Sequence, residues 1–475
     1  MSVLHKFTKS IVTNRDSFRS LMVIIILIMA AGLGSIFPLL GDKFLILFVV
    51  LIGALFIILC FGFLPILLVI VPLLTFQIGL NYMLLNIVFK NSSLWEVSLF
   101  LCFVLFILFM RLRIPRMTHY MPPYSLLPIG FLFWAVIALM ISPGEKDFQN
   151  FSYLRSIPLY ALVIYVLFTN VIHKPKEAVL LLALLVLGGT AFGIFVSFNI
   201  NGIWDPILRV SNTRAIGYAA IDALGRGGVT LAEYLALLIP IALAIGLFSR
   251  RRWVSLFFLG DAILLSILVA LTESRVASIS VAVVILCFIF LGLRQHRNRI
   301  RQVFLVGVLS TIIFLIIIVL RGLNASLLQR LLEGNFELGF RSYLWRYAWN
   351  LLMSNPFGTG FDFMENLIGF RAHNDYLFLA LGSGFLGMLC FEVFLLVIAW
   401  KIYKGFLNSS NNSERLVYSA AFGCCIVFII NSLTSHISGN IYVWPSFWII
   451  LSTAIGLARS RSQRKNSGFR TSELV

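Results

Sequence analysis

The stretch RAHNDYLFLALGSGFLG, residues 371–387, decides how the chain is to be read. Its glycines, Gly382, Gly384 and Gly387, spell G-x-G-x-x-G, the letters of a dinucleotide-binding turn. That turn works only where a strand leads in and a helix leads out, so that backbone N–H groups face a pyrophosphate. Here the pattern lies inside an apolar run with no strand signal before it. Small residues at such spacing let the backbones of lipid-embedded helices approach one another closely. The stretch therefore reads as a membrane helix whose glycines are packing positions.

The surrounding chain agrees. It has 475 residues, of which 60% are hydrophobic and 12% charged. Apolar runs of roughly 18 or more residues recur from end to end, and lipid leaves a spanning backbone only the helix or the closed barrel. The runs are continuous rather than alternating, which excludes a barrel. The expected fold is an all-α polytopic membrane protein with about 14 (12–14) transmembrane helices. The spans start near residues 20, 44, 66, 96, 125, 158, 179, 229, 254, 276, 303, 375, 416 and 441. Three regions follow: an N-terminal bundle (1–200), a central region (201–400) and C-terminal helices with a basic tail (401–475). The central region holds a long loop, 321–374, bearing short amphipathic helices. No small-residue cleavage site follows the first apolar run, so a cleavable leader is not expected.

The net charge of +18 is mostly a topology signal. With the N-terminus inside, the clusters RLRIPR, SRRRW, RQHRNRIR and RSRSQRK all fall on the cytoplasmic side, as the positive-inside rule requires. About two thirds of the Lys and Arg lie there, so nucleic acid is not an expected partner. The remaining basic residues face outward, most of them arginines in the loops 200–228 and 321–374 or beside the turn at 272–275. Arginine offers a planar fork of donors suited to phosphate. Anchoring to lipid headgroups explains any one of them; as a group they point to an anionic ligand on the outer side. All six cysteines lie in apolar spans and read as small core residues.

Few residues are equipped for catalysis. His5, His119, His173 and His296 fall in cytoplasmic segments. His436, in TSHISGN, reads as an interfacial polar residue in a short turn. His373 ends a loop of over 50 residues and opens a span, and loops that long are usually functional. Asn374 or Asp375 can cap the helix starting near Tyr376. The positive end of that helix, with nearby arginines, favours a neutral imidazole, which can take a proton from a hydroxyl. An interfacial capping histidine is the plainer alternative.

FRSYLWRYAWNLLMSNPFGTGF (340–361) reads as an amphipathic helix on the outer surface, closed by a Pro-Gly turn. Arg341, Trp345, Ala348, Trp349 and Leu352 recur along it at helical spacing. Arg341 either leans into a cavity or anchors at the interface. In LTESRVAS (271–278), Ser274 and Arg275 interrupt apolar sequence at a turn, where an ionisable group is costly and function is the default reading; pairing of Arg275 with Glu273 is the alternative. Arg226 lies between glycines just before a span, in a natural anion nest. Walker, HExxH and paired DxD motifs are absent, and Asp362 with Glu365 makes at best a weak metal pair.

The succession LTESR, then R-x-x-x-W-x-x-A with SNPFGTGF, then AHNDYL-x9-G resembles the O-antigen ligase and polymerase family of multi-spanning bacterial glycosyltransferases. The resemblance covers roughly 210–400. It implies transfer of a glycan from undecaprenyl diphosphate at the periplasmic face of the inner membrane, without metal, nucleotide sugar or other cofactor. It implies that His373 is catalytic, with Asn374, Asp375 and Ser274 in support. Arg275 and Arg341 would bind the diphosphate. So would the arginine before the span at 229, for which Arg226 is the closest match and Arg214 the second. The implied partners are an undecaprenyl-diphosphate-linked glycan donor, a lipid A-core or glycan acceptor, and membrane lipids. A ligase is slightly favoured over a polymerase or a protein O-oligosaccharyltransferase. From another class, a lipid-linked glycan flippase or secondary transporter is kept open by Asp261 and Glu392, deep in spans.

Overall fold

The computed structural model describes residues 121–143, 153–198, 228–272, 274–293, 338–409, 411–440 and 442–471, together with Leu99, residues 102–104 and Val308. The expected spans near 20, 44 and 66, most of the one near 303, and residues Arg214, Arg226 and Glu273 lie outside them. Among the described residues all regular structure is helical.

The helices are α1 (Leu126–Ile141), α2 (Tyr160–Val171), which continues from a π-helical turn at Arg155–Leu159, α3 (Pro175–Phe198), α4 (Gly228–Phe248), α5 (Arg252–Leu271) and α6 (Arg275–Leu293). They continue with α7 (Leu338–Ser354), α8 (Phe363–Ile368), α9 (Asp375–Asn408), α10 (Asn412–Ser432) and α11 (Val443–Thr471). Five, namely α3, α4, α5, α9 and α10, are long and apolar enough to cross a membrane; α1, Arg155–Val171 and Arg275–Phe290 are shorter apolar helices.

The core is built around α4, every residue of which from Leu231 to Phe248 is buried. It packs against α3, α5, α6, α10 and α11. The first part of α11 is also interior, with Trp444, Phe447, Trp448 and Leu451 nearly inaccessible. A helix surrounded by protein has no lipid to meet, so α11 tolerates Ser446, Ser452 and Thr453 among its buried residues. Gly456 lets it close on α2. A Cβ there would stand 2.7 Å from the Ile172 carbonyl oxygen and 3.0 Å from that of Thr169. Gly456→Leu should therefore cost about 1–3 kcal/mol, visible as a lower melting temperature in detergent, with Gly456→Ala between the two.

Long-range hydrogen bonds show which helix ends share a face. Arg459 donates to Asn170 (2.6 Å), and Arg461 to Glu414 (3.4 Å) and to the Asn408 carbonyl (2.5 Å). Lys401 lies 5.8 Å from the Tyr124 ring centroid. The ends of α2 and α9, the starts of α1 and α10, and the C-terminal part of α11 thus meet at one end of the bundle. Lys174, Arg250–Arg252, Lys401, Lys404, Arg415, Arg459 and Arg461 belong to this basic end. At the opposite end Asn440 donates to Glu233 (3.4 Å) and Asn431 to Ser280 (3.1 Å). The starts of α4, α6, α9 and α11 gather there.

At that end α9 is broken. Gly384 has φ 73° and ψ 172°, a conformation essentially reserved for glycine. Residues 355–361 fill the break. The Thr359 N–H donates to the Leu381 carbonyl (2.7 Å) and the Phe385 N–H to the Pro356 carbonyl (3.1 Å). Interrupted backbone at membrane depth survives only where protein re-satisfies the freed groups, and this loop does so. Each glycine of the opening stretch has its own task. Gly382 leaves room for the Phe361 ring, Gly384 for the Phe357 backbone, and Gly387 lets Trp134 of α1 come close. The expectation of packing glycines holds, but the uninterrupted span does not. The same insertion explains why α1 has only 16 residues: at its end Ser142 donates to the Thr359 carbonyl.

Candidate functional site

α7 is the helix expected from the R-x-x-x-W pattern. Leu344, Ala348 and Leu352 are buried, while Trp349 is 49% exposed. The buried side chains pack with Met364 of α8, with Ala372, and with Ala380 and Leu381 of α9 into a small core of its own. A buried leucine stabilises such a core by about 1.5–3 kcal/mol, so α7, α8 and the first half of α9 are held as one unit. Arg341, one turn before Leu344, is half-buried.

His373 stands at the seam between this unit and the bundle. Its backbone is left-handed, φ 48°, which costs a non-glycine residue about 1–2 kcal/mol and marks a position held by its surroundings. What holds it comes next in the chain. Asn374 is the N-cap of α9, its side-chain oxygen accepting from the Leu377 N–H (3.1 Å), and its amide donates to the Leu433 carbonyl (3.0 Å). Asp375 does not cap. It is buried and accepts from the backbone and hydroxyl of Ser438, in the turn between α10 and α11. The open choice between the two residues is thus resolved by reach: Asn374 keeps to the helix end, and Asp375 points inward to the neighbouring turn.

His373 is exposed to solvent. Partial burial, followed by the charges of Arg341 and Arg371, holds it below the ordinary histidine range. This is the electrostatic setting of a neutral ring at neutral pH. Arg341 also lies within electrostatic range of Glu233 in the first turns of α4.

Arg275 opens α6, and Ser274 just before it is buried. The Ser280–Asn431 hydrogen bond places this turn at the same end as His373. Arg275 has no hydrogen-bond or ion-pair partner among the described residues. The structure gives no contact that brings it to His373. Arg226 and Arg214 lie outside the described residues.

Two residues of this region were not expected beside His373. Arg371, first letter of the opening stretch, pairs with Glu365 (2.6 Å). Its guanidinium also meets His436 at 3.2 Å. His436, expected as an interfacial polar residue, thus contacts Arg371, and its ring packs edge-on against Phe378 at 4.4 Å. The Arg371–His436 contact is not visible in sequence, because it joins segments 65 residues apart. Of the weak metal pair, Glu365 is engaged by Arg371, while Asp362 is fully buried at the start of α8. The two carboxyls that would suit a transporter lie in different interfaces. Asp261 of α5 faces Thr190 of α3, while Glu392 of α9 acts on Asp375 and Tyr376.

No curated protein matches the chain. The family model described as O-antigen ligase matches residues 261–391, which run from within α5 through the turn of Arg275, through α7 with Arg341 and past His373 into the second half of α9. Over these residues the chain is similar to the O-antigen ligase family.

Proposed function

We propose that the chain is a membrane glycosyltransferase that moves a glycan from undecaprenyl diphosphate to a sugar hydroxyl of lipid A-core, at the periplasmic face of the inner membrane. The observation that carries this reading is that His373 lies within electrostatic range of Arg341 and Arg371, at the end of the bundle opposite the basic cluster. If that cluster faces the cytoplasm, the histidine faces the periplasm.

In this mechanism neutral His373 accepts the proton of the acceptor hydroxyl as its oxygen attacks the anomeric carbon. The bond from that carbon to the diphosphate oxygen breaks, and the configuration inverts. Negative charge grows on the departing undecaprenyl diphosphate, and donors already in place stabilise it most. Arg341 is the first candidate for that role and Arg275 the second, with Arg226 and Arg214 as further candidates.

The test is transfer by the purified full-length chain, given a synthetic undecaprenyl-diphosphate-linked oligosaccharide and lipid A-core. Glycosylated lipid A-core and free undecaprenyl diphosphate are expected. Lengthened lipid-linked glycan instead would identify a polymerase, and the absence of transfer to either acceptor would overturn the reading. Arg341→Ala should lower kcat by about 100-fold, with Arg341→Lys intermediate because it keeps the charge and loses the fork. Orientation has its own check: a cysteine replacing exposed Tyr343 should react with a membrane-impermeant maleimide applied to the periplasm, and protection there would reverse the topology.

A further inference from the structure

We infer that Arg371 is a positioning residue, a clamp that fixes His373 in its working place; the inference rests on the reading of His373 as the general base.

The guanidinium is held from three sides. Nε donates to Glu365 Oε2 of α8 at 2.6 Å, Nη1 to His436 Nε2 in the turn between α10 and α11 at 3.2 Å, and Nη2 to the hydroxyl of Tyr153. Its carbon also lies 5.4 Å from the centroid of the Tyr153 ring. Arginine has donors only. His436 must therefore present a lone pair at Nε2, which makes it a neutral ring with its proton on Nδ1. A side chain committed to a carboxylate, an imidazole and a phenol is poorly placed to seize a diphosphate. Arg341, with none of these ties, is the better phosphate ligand.

What the clamp fixes is the short segment 371–374. Arg371 pins one end, and Asn374 pins the other through Leu377 and Leu433. His373 lies between the two anchors in its left-handed conformation. Truncating Arg371 would free that segment on one side, and loss of position alone can cost a reaction about 100-fold.

The clamp also brings charge. Within electrostatic range of His373 are Arg341 from α7 and Arg371 from its own segment. Glu365 from α8 neutralises part of the latter, His436 is neutral, and Asp375 at the start of α9 turns away to Ser438. Removing the Arg371 cation should let His373 bind a proton more readily. Removing the Glu365 anion should make it bind one less readily.

The experiment compares wild type with Arg371→Gln, Arg371→Lys and Glu365→Gln, each as the full chain in nanodiscs. Transfer from the synthetic lipid-linked oligosaccharide is followed across pH, with melting temperature as the control for folding. Arg371→Gln should lose about tenfold in kcat at unchanged donor KM, and its acid limb should move to higher pH. Arg371→Lys should return the acid limb towards wild type. Glu365→Gln should move it to lower pH, the opposite way. Loss of a structural contact would not shift the two partners of one ion pair in opposite directions. Acid limbs unmoved in both Arg371→Gln and Glu365→Gln would overturn the clamp while leaving the reading of His373 intact. Full activity of His373→Ala would instead remove the reading itself. If Arg371→Gln does not fold, Glu365→Gln and Arg371→Lys still decide.

Discussion

His373→Ala is expected to lower glycan transfer by about 10²–10⁴-fold, the contribution of a positioned general base, with donor binding nearly unchanged. The substitution leaves the Asn374 cap, the Asp375–Ser438 joint and the Arg371 contacts in place, so the protein should reach the membrane in normal amount. The pH profile separates a base from a structural histidine. In wild type the rate should fall as pH drops through the His373 value, because the protonated ring cannot accept the hydroxyl proton. Burial and two neighbouring arginines hold that value below the usual one, so activity should persist into mildly acidic medium. In His373→Ala this limb should vanish along with the rate. A variant present at wild-type level that still glycosylates lipid A-core fully would remove the histidine from the mechanism.

Gly384→Val should be the most damaging single change to the fold of this region. The backbone at φ 73° and ψ 172° would cost a β-branched residue roughly 1–3 kcal/mol. A Cβ would also stand 2.6 Å from the Phe357 carbonyl carbon and oxygen, adding a similar amount, about 1–3 kcal/mol, through overpacking. Relief requires residues 355–361 to leave the break, which would leave the Leu381 carbonyl and the Phe385 N–H unpaired. α7 and α8 would lose their seat on α9, and Arg341 with them. The expected result is a lowered melting temperature and no transfer at any pH. Gly384→Ala should show the same defect, smaller because alanine lacks the branch. Wild-type melting and activity in Gly384→Val would mean that the break is not needed.

Some of this architecture could be read from composition alone. Apolar length and the exclusion of strands follow from the cost of unpaired backbone in lipid, and that cost depends on sequence composition. The described helices accordingly begin within a few residues of the expected span starts at 125, 158, 179, 229, 254, 276, 375, 416 and 441. The amphipathic α7 was legible from its period, and the cap of α9 from the polar letters after His373. The break in α9 was not. A glycine triplet looks the same whether it eases helix packing or interrupts the helix, and the choice depends on a loop more than 20 residues upstream supplying the missing hydrogen bonds.

The same division holds at the site. His373, Arg341 and Arg275 stood out because polar residues beside apolar spans are costly and so carry information on their own. Arg371 and His436 did not, since an arginine near a span end is ordinary until its partners are known.

Sequence by itself determined that the described residues are helical, where their apolar helices start, and which charged side chains are candidates for chemistry, because burial and lipid act on each residue through its own polarity. Only the tertiary structure decided that α9 is interrupted, which of Asn374 and Asp375 caps it, and that Arg371 is bound by Glu365, Tyr153 and His436. Those outcomes depend on distances between segments far apart in the chain, and such distances are set by packing.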